Sequence, residues 1–299
     1  MHIANSIGDL VGNTPLVKIN LKGIPDHVEV YGKLEGNNPG GSVKDRPAFN
    51  MIKRALERGD INQNSRLVEA TSGNTGIALA MMAASFGIDI TLIMPENSTK
   101  ERVDTMKAFG AKVILTDAEG TIEYSRTVAE KMVADEGYFM LDQFANEDNY
   151  WAHYETTSPE IWRDTNGQIT HFVSSMGTTG TIMGNSRFLK EKNPDVKIIG
   201  AQPAEGDNIP GIRKWSEEFL PKIYDPNRVD EIIYVSRQAA INMTRRLAHE
   251  TGIFAGMSSG GVVECVYQLS QQLTKPALVV CIICDRGDRY LSSELFTED

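Results

Sequence analysis

Cysteine is scarce in this 299-residue chain: Cys265, Cys281 and Cys284 are an odd number and too few for a disulfide framework, so reduced thiols are expected. Long hydrophobic runs are missing as well. The longest, Ala277 to Cys284, is far short of the roughly 20 residues a membrane-spanning helix requires. An excess of basic residues is also lacking: 30 Lys+Arg stand against 40 Asp+Glu, a net charge of −10 that argues against a nucleic-acid platform. Met1 to Leu10 has no basic residue ahead of an apolar stretch and no small-residue cleavage site, so no secretory leader is expected and the expected compartment is the cytoplasm. Solenoid-period repeats and low-complexity tracts are absent too.

What is present is an ordinary globular composition, 41% hydrophobic and 23% charged, in a chain about two average domains long. From Arg66 onward, short β-rich runs alternate with helical patterns. Strands are predicted over 66–70, 89–94, 112–116 and 138–141, with helices over 74–86, 99–109 and 121–135. The rhythm breaks between Gln143 and Gly167, where a short helical stretch lies around Pro159 to Trp162, and a domain boundary is placed near Asp142 to Asn149. It then resumes with strands at 169–174, 196–201 and 278–283 and helices at 181–191, 237–251 and 262–273. The expectation is α/β: two doubly wound domains, each a mostly parallel twisted sheet flanked by helices.

In open α/β sheets ligands gather at the carboxyl ends of strands. Three glycine- and hydroxyl-rich stretches, 71–76, 177–181 and 256–261, read as loops that each follow a strand and open a helix. Backbone N–H groups and hydroxyls at the positive end of a helix suit a phosphate or a carboxylate. For any one such loop alone, turn punctuation and N-capping are an equal reading. None has the Walker A or the Gly-x-Gly-x-x-Gly spacing. Gly256-Met257-Ser258-Ser259-Gly260 matches the nucleophile elbow of serine hydrolases. That chemistry needs a general-base histidine after the serine, whereas His2, His27, His153, His171 and His249 all precede Ser258. Cys281-x-x-Cys284 lies in an apolar β-run, where residues three apart point to opposite faces, so buried strand cysteines are expected rather than a metal or redox pair. In Ser42-Val43-Lys44-Asp45-Arg46-Pro47 the proline places a helix start near Ser42 to Asp45. Lys44 then stands at a positive helix end, which suits either a solvated lysine or an amine that attacks in its neutral form.

Taken in order, these motifs resemble the cysteine synthase (O-acetylserine sulfhydrylase) family, within the β-family (fold type II) of pyridoxal phosphate (PLP) enzymes. The resemblance runs from Ile7-Gly8 and Gly12-Asn13-Thr14-Pro15 to Gly287-Asp288-Arg289-Tyr290. The stretches 33–39, 174–181, 205–215 and 284–287 resemble the B-type members.

The resemblance implies a larger, PLP-phosphate-binding domain of residues 1–34 and 146–299. It also implies a smaller, mobile domain of residues 35–145 that carries the lysine and closes over the substrate. Lys44 would hold PLP as a Schiff base and return as the base for the α-proton. Gly177, Thr178, Thr179, Gly180 and Thr181 would cradle the phosphate, Asn74 would meet the ring hydroxyl and Ser258 the pyridine nitrogen. Thr71, Ser72, Thr75 and Gln143 would bind the substrate carboxylate.

The implied reaction is ping-pong β-replacement through an aminoacrylate, making L-cysteine from O-acetyl-L-serine and sulfide, and S-sulfocysteine from thiosulfate. A neutral Ser258 at the ring nitrogen favours elimination over transamination. Arg213, Lys214 and Asp285, in B-type motifs, would make the pocket more charged, with Arg213 suited to the bulkier anion or else simply solvated in a loop. O-phosphoserine sulfhydrylases and serine/threonine dehydratases of the same fold are the alternatives, and Arg213 could equally pair with a phosphate. A homodimer is implied, without nucleic-acid or membrane partners. A-type relatives dock serine acetyltransferase; with the lysine motif intact, a purely non-catalytic partner role is not expected.

Overall fold

A computed structural model describes residues 3–71 and 73–296. In chain order its strands and α-helices are β1 (Leu16–Lys18), β2 (Val28–Leu34), α1 (Asp45–Arg58), β3 (Arg66–Ala70), α2 (Asn74–Phe86), β4 (Asp89–Pro95), α3 (Lys100–Ala108), β5 (Lys112–Thr116), α4 (Thr121–Glu136), β6 (Phe139–Met140), α5 (Glu147–Ala152), α6 (Ser158–Asp164), β7 (His171–Ser175), α7 (Gly180–Lys192), β8 (Lys197–Pro203), β9 (Glu231–Val235), α8 (Arg237–Thr251), α9 (Met257–Ser270) and β10 (Ala277–Ile283). Contacts divide the chain into two compact units, one of Met1–Val11 and Asn38–Asn149, the other of Gly12–Asn37 and Tyr150–Asp299. Of the segment expected to join the larger domain at the N-terminus, residues 3–11 group with the smaller unit.

The smaller unit holds an all-parallel sheet in the order β5-β4-β3-β6. Parallel pairing demands crossovers, and α2, α3 and α4 supply them. α2 is apolar all round, with Ile77 through Ala83 buried, because it is packed between the sheet and α1. Three helices of this unit end cheaply: α1, α2 and α4 all stop at a glycine in the left-handed region, Gly59, Gly87 and Gly137.

The larger unit holds a six-stranded sheet in the order β1-β2-β10-β7-β8-β9, parallel except for β1. β10 runs between β2 and β7, which explains its near-uniform apolar sequence: six of its seven residues are buried. Cys281 in this strand, Cys284 just after it and Cys265 in α9 are all buried free thiols.

The stretch expected to hold one short helix instead carries α5, a π-helical turn over His153–Thr157, and α6. Gly184 of α7 packs against this turn so closely that a Cβ there would lie 2.2 Å from the Tyr150 carbonyl oxygen. β2 brings a lysine into the core: Lys33, fully buried, pairs with Glu160 at 2.7 Å and donates to the Thr14 carbonyl at 2.6 Å. Glu160 also accepts the Asn13 N–H at 2.9 Å, so the Gly12-Asn13-Thr14-Pro15 motif has a structural task in wrapping a buried ion pair.

Candidate active site

In the smaller unit, residues 38–45 form a turn closed on itself. Asn38 accepts the Gly41 N–H at 2.8 Å and donates from Nδ2 to the Ser42 carbonyl at 3.2 Å, and Ser42 accepts the Asp45 N–H at 3.3 Å. Lys44 is the residue before α1, half-buried, with its N–H donating to the Ser42 hydroxyl at 3.2 Å. Its backbone is thus pinned on both sides while its side chain leaves from the positive end of a 14-residue helix.

At the end of β3 the Thr71 hydroxyl accepts the Gly76 N–H at 2.9 Å and the Gly73 N–H at 3.4 Å, which folds the loop back onto the start of α2. Asn74 and Thr75 occupy the first turn of α2, both half-buried. Gln143 comes from the turn after β6, where Asp142 takes a left-handed φ of 53°. The Thr75 hydroxyl donates to Gln143 Oε1 at 3.0 Å, and Gln143 Nε2 donates to the Ala70 carbonyl at 3.1 Å. Thr71, Asn74, Thr75 and Gln143 therefore gather at the carboxyl ends of β3 and β6, as the switch-point rule requires. Ser72 lies outside the described residues.

Sequence reasoning missed Glu69, which is buried with its two oxygens accepting the Asp142 N–H at 3.0 Å and the Gln143 N–H at 3.3 Å. Burial pushes its carboxyl up to about 8, against the opposing pull of those two N–H groups. The signal available was an acidic residue flanked by Val68 and Ala70 in a short strand.

In the larger unit, residues 177–181 join β7 to α7, with Thr178, Thr179, Gly180 and Thr181 buried. Thr179 has a left-handed φ of 72°, an expensive conformation for a β-branched residue, and its hydroxyl is buried without a hydrogen-bond partner among the described residues. A strained turn that ends in an unpaired hydroxyl, glycine amides and a helix N-terminus, with no carboxylate among its residues, fits a phosphate group. The loop is held from two sides. Trp215 Nε1 donates to the Gly177 carbonyl at 2.8 Å, and His153, from the π-helical turn, lies 3.3 Å from the Thr181 hydroxyl and 2.9 Å from that of Thr157. Neither contact was foreseen, and the π-turn itself leaves no periodicity signal.

The third stretch is corrected. Gly256 caps α9, so Ser258 to Gly261 are helical rather than loop, and they follow α8 rather than a strand. The reason is packing: Gly260 lets α9 lie tightly on α8, Gly261 faces Ile212, and Ser258 is buried in the first turn. Gly211, at a φ of 89°, brings its backbone so near that a Cβ there would be 3.3 Å from that of Ser258.

Arg213 is half-buried with its guanidinium 5.5 Å from the Trp215 ring, while Lys214 is exposed and lies over Tyr234. Asp285 is buried, its carboxylate accepting the Gly256 N–H and the Tyr290 hydroxyl, so it serves the α9 cap.

The smaller unit thus carries a lysine at a helix start and a cluster of threonine and amide groups at its strand ends, and the larger unit carries a strained hydroxyl loop fitted to a phosphate. The sequence profile of the pyridoxal-phosphate dependent enzymes matches residues 7–285, and the chain belongs to that family. It is 57% identical over 293 residues to the cysteine synthase B of Pseudomonas aeruginosa, covering 97% of each chain. It is 52% identical to the cysteine synthase B of Salmonella typhimurium, covering 99% of this chain and 97% of the other. The crystal structure of O-acetyl serine sulfhydrylase isoform 3 from Entamoeba histolytica superposes with a TM-score of 0.93 at 35% identity, over 100% of this chain and 93% of that one. The fold is accordingly the fold type II architecture of PLP enzymes, and PLP is the cofactor.

Proposed function

We propose that the chain is a PLP-dependent cysteine synthase that replaces the acetoxy group of O-acetyl-L-serine with sulfide, releasing acetate and L-cysteine. The observation that carries it is the near-full-length identity to two cysteine synthase B chains, in a sequence that keeps Lys44, the 71–76 loop and the 177–181 loop.

The residues divide the work. Amides and hydroxyls of Gly177, Thr178, Thr179, Gly180 and Thr181 bind the phosphate, and Thr179 gains the hydrogen bond it lacks. Ser258 offers a neutral hydroxyl to the ring nitrogen, and Asn74 orients the ring hydroxyl. Thr71, Ser72, Thr75 and Gln143 bind the amino-acid carboxylate with neutral donors, fixing the α-carbon for proton removal. Lys44 would hold the cofactor through its Nζ and would serve as the base that takes the α-proton. PLP, when bound, supplies the electron sink that lets the β-substituent leave.

The reading extends to thiosulfate as a second sulfur donor, for which the Arg213 guanidinium beside Trp215 is the anion contact. Arg213→Ala is expected to lower the rate with thiosulfate more than the rate with sulfide; an unchanged ratio overturns this part. It extends also to a homodimer in the cytoplasm, for which sedimentation at twice the 33.0 kDa chain mass is the test. Among the described residues, no helix is long and apolar enough to cross a membrane. Docking of a serine acetyltransferase tail predicts that the C-terminal peptide of that enzyme competes with O-acetyl-L-serine; activity indifferent to the peptide rules it out.

The deciding experiment is the visible spectrum of the purified holoenzyme before and after O-acetyl-L-serine, with acetate release measured in parallel. A shift of the cofactor band with release of acetate supports the reading. A band indifferent to O-acetyl-L-serine but responsive to O-phospho-L-serine or L-threonine replaces it with the corresponding relative.

A further inference from the structure

Glu69 is an anomaly of the smaller unit. It lies on β3, 2% exposed, and no ion pair reaches it from the described residues. A carboxylate so placed is costly unless donors replace its water. The donors here are two consecutive backbone amides, those of Asp142 and Gln143, one on each carboxylate oxygen. Gln143, fixed at its backbone by Glu69, spends its side chain on the Ala70 carbonyl and the Thr75 hydroxyl. Its own carbonyl is held by Asn149 Nδ2 at 2.6 Å. One acidic side chain in the strand therefore sets the turn that delivers Gln143 to the loop following that same strand. An apolar residue would fill the core position as well, but it could not take two amides that a left-handed Asp142 turns inward.

We infer that Glu69 is a positioning residue of the amino-acid carboxylate site: by accepting the Asp142 and Gln143 amides, it holds the Gln143 and Thr75 side chains in the arrangement that receives a carboxylate. The inference rests on the proposed placing of Thr75 and Gln143 at that carboxylate.

The test uses L-alanine, which has the carboxylate and amine but no leaving group, bound to the PLP-loaded enzyme and followed by the cofactor's visible spectrum. Glu69→Gln keeps the shape but offers one acceptor and turns an NH₂ toward the other amide. Weakening of L-alanine binding by about tenfold is expected, with PLP content unchanged. In a Gln143→Ala background the same substitution is expected to weaken binding less than about twofold, because the group being positioned is gone. Wild-type affinity in Glu69→Gln overturns the inference, as does an equal loss in both backgrounds, which marks a merely structural carboxylate. Should Glu69→Gln fail to fold, Glu69→Asp, which keeps two acceptors on a shorter stem, carries the same comparison.

The two readings fail separately. If wild-type enzyme binds L-alanine but releases no acetate from O-acetyl-L-serine, the cysteine synthase reading falls and Glu69 stands or falls by the comparison above. If acetate is released and Glu69→Gln binds L-alanine like wild type, the Glu69 inference alone falls. If wild type does not bind L-alanine at all, the carboxylate site is misplaced and the Glu69 inference falls with it.

Discussion

The Trp215 indole donates to the carbonyl of Gly177, 2.8 Å away, and so ties the first residue of the 177–181 loop to the 209–215 segment. The tie is doubled one residue earlier, where the Arg213 N–H donates to the Met176 carbonyl at 2.8 Å. Trp215→Phe keeps the ring and removes the donor. Its PLP dissociation constant is expected to rise roughly three- to tenfold, measured by titrating apoenzyme with PLP. An unchanged constant shows that the loop needs no such tether.

Thr179→Gly separates stability from binding. Glycine relieves the left-handed backbone at 72° but removes the unpaired hydroxyl. The apoenzyme is expected to gain about 1 kcal/mol, while PLP binds at least tenfold more weakly. Urea midpoints of apoenzyme and a PLP titration read the two effects, which have opposite signs. A variant whose apoenzyme is less stable contradicts the strain argument.

Much of this was legible in the sequence, and the exceptions have physical causes. β3, α2, β5 and α8 fall where their periodicity places them, because each is bounded by a turn signal such as Gly73, Gly87 or Ser236. β1, β2 and β9 were not foreseen: β2 carries Glu29 and Lys33 among its apolar residues, and β1 and β9 are edge strands with partly exposed patterns. Ser258 reads as loop in the sequence because serine and glycine weaken a helical pattern that close packing of α9 on α8 restores. Lys44, Thr71, Asn74, Thr75 and the 177–181 loop were visible as motifs. Glu69, His153 and Trp215 were not, since each acts on a residue distant in sequence.

Glu69 predicts a pH dependence. Its carboxyl is raised by burial and by the like charge of Asp142, and lowered by the Asp142 and Gln143 amides and by Arg126, with a net value of about 8 against 4.5 unfolded. A raised acid binds its proton more tightly in the folded chain, so the associated stability is full below 4.5 and is lost as the pH climbs through 8. Relative to Glu69→Gln, wild-type apoenzyme is expected to lose about 2–5 kcal/mol of unfolding free energy between pH 4.5 and 8.5. Parallel urea-midpoint curves for the two proteins across that range contradict it.

Lys33→Met leaves Glu160 buried without its cation. A loss of about 3–5 kcal/mol is expected in urea unfolding, with partial recovery when Glu160→Gln is added. Additive losses in the double variant show that the pair is not coupled.

Burial pushes the Cys281 thiol up to about 12 and raises Cys265 as well, and Cys284 is buried beside them. The native protein is expected to show no rapidly titrating thiol with Ellman's reagent, and three after unfolding. A fast native thiol contradicts the packing of β10 and α9.

The pairing of β2 with β10 also dictates a timetable for the nascent chain. β2 is made early, yet its parallel neighbour in the six-stranded sheet, β10, is the last of that sheet's strands to be synthesised. The smaller unit, by contrast, has all its strands once residue 149 has emerged. During translation the ribosome therefore holds a chain in which one unit is complete and the other is an unfinished sheet. Paired only with the short β1, β2 keeps its other edge open until β10 arrives, and this interval is when chaperone contact and aggregation most concern this protein.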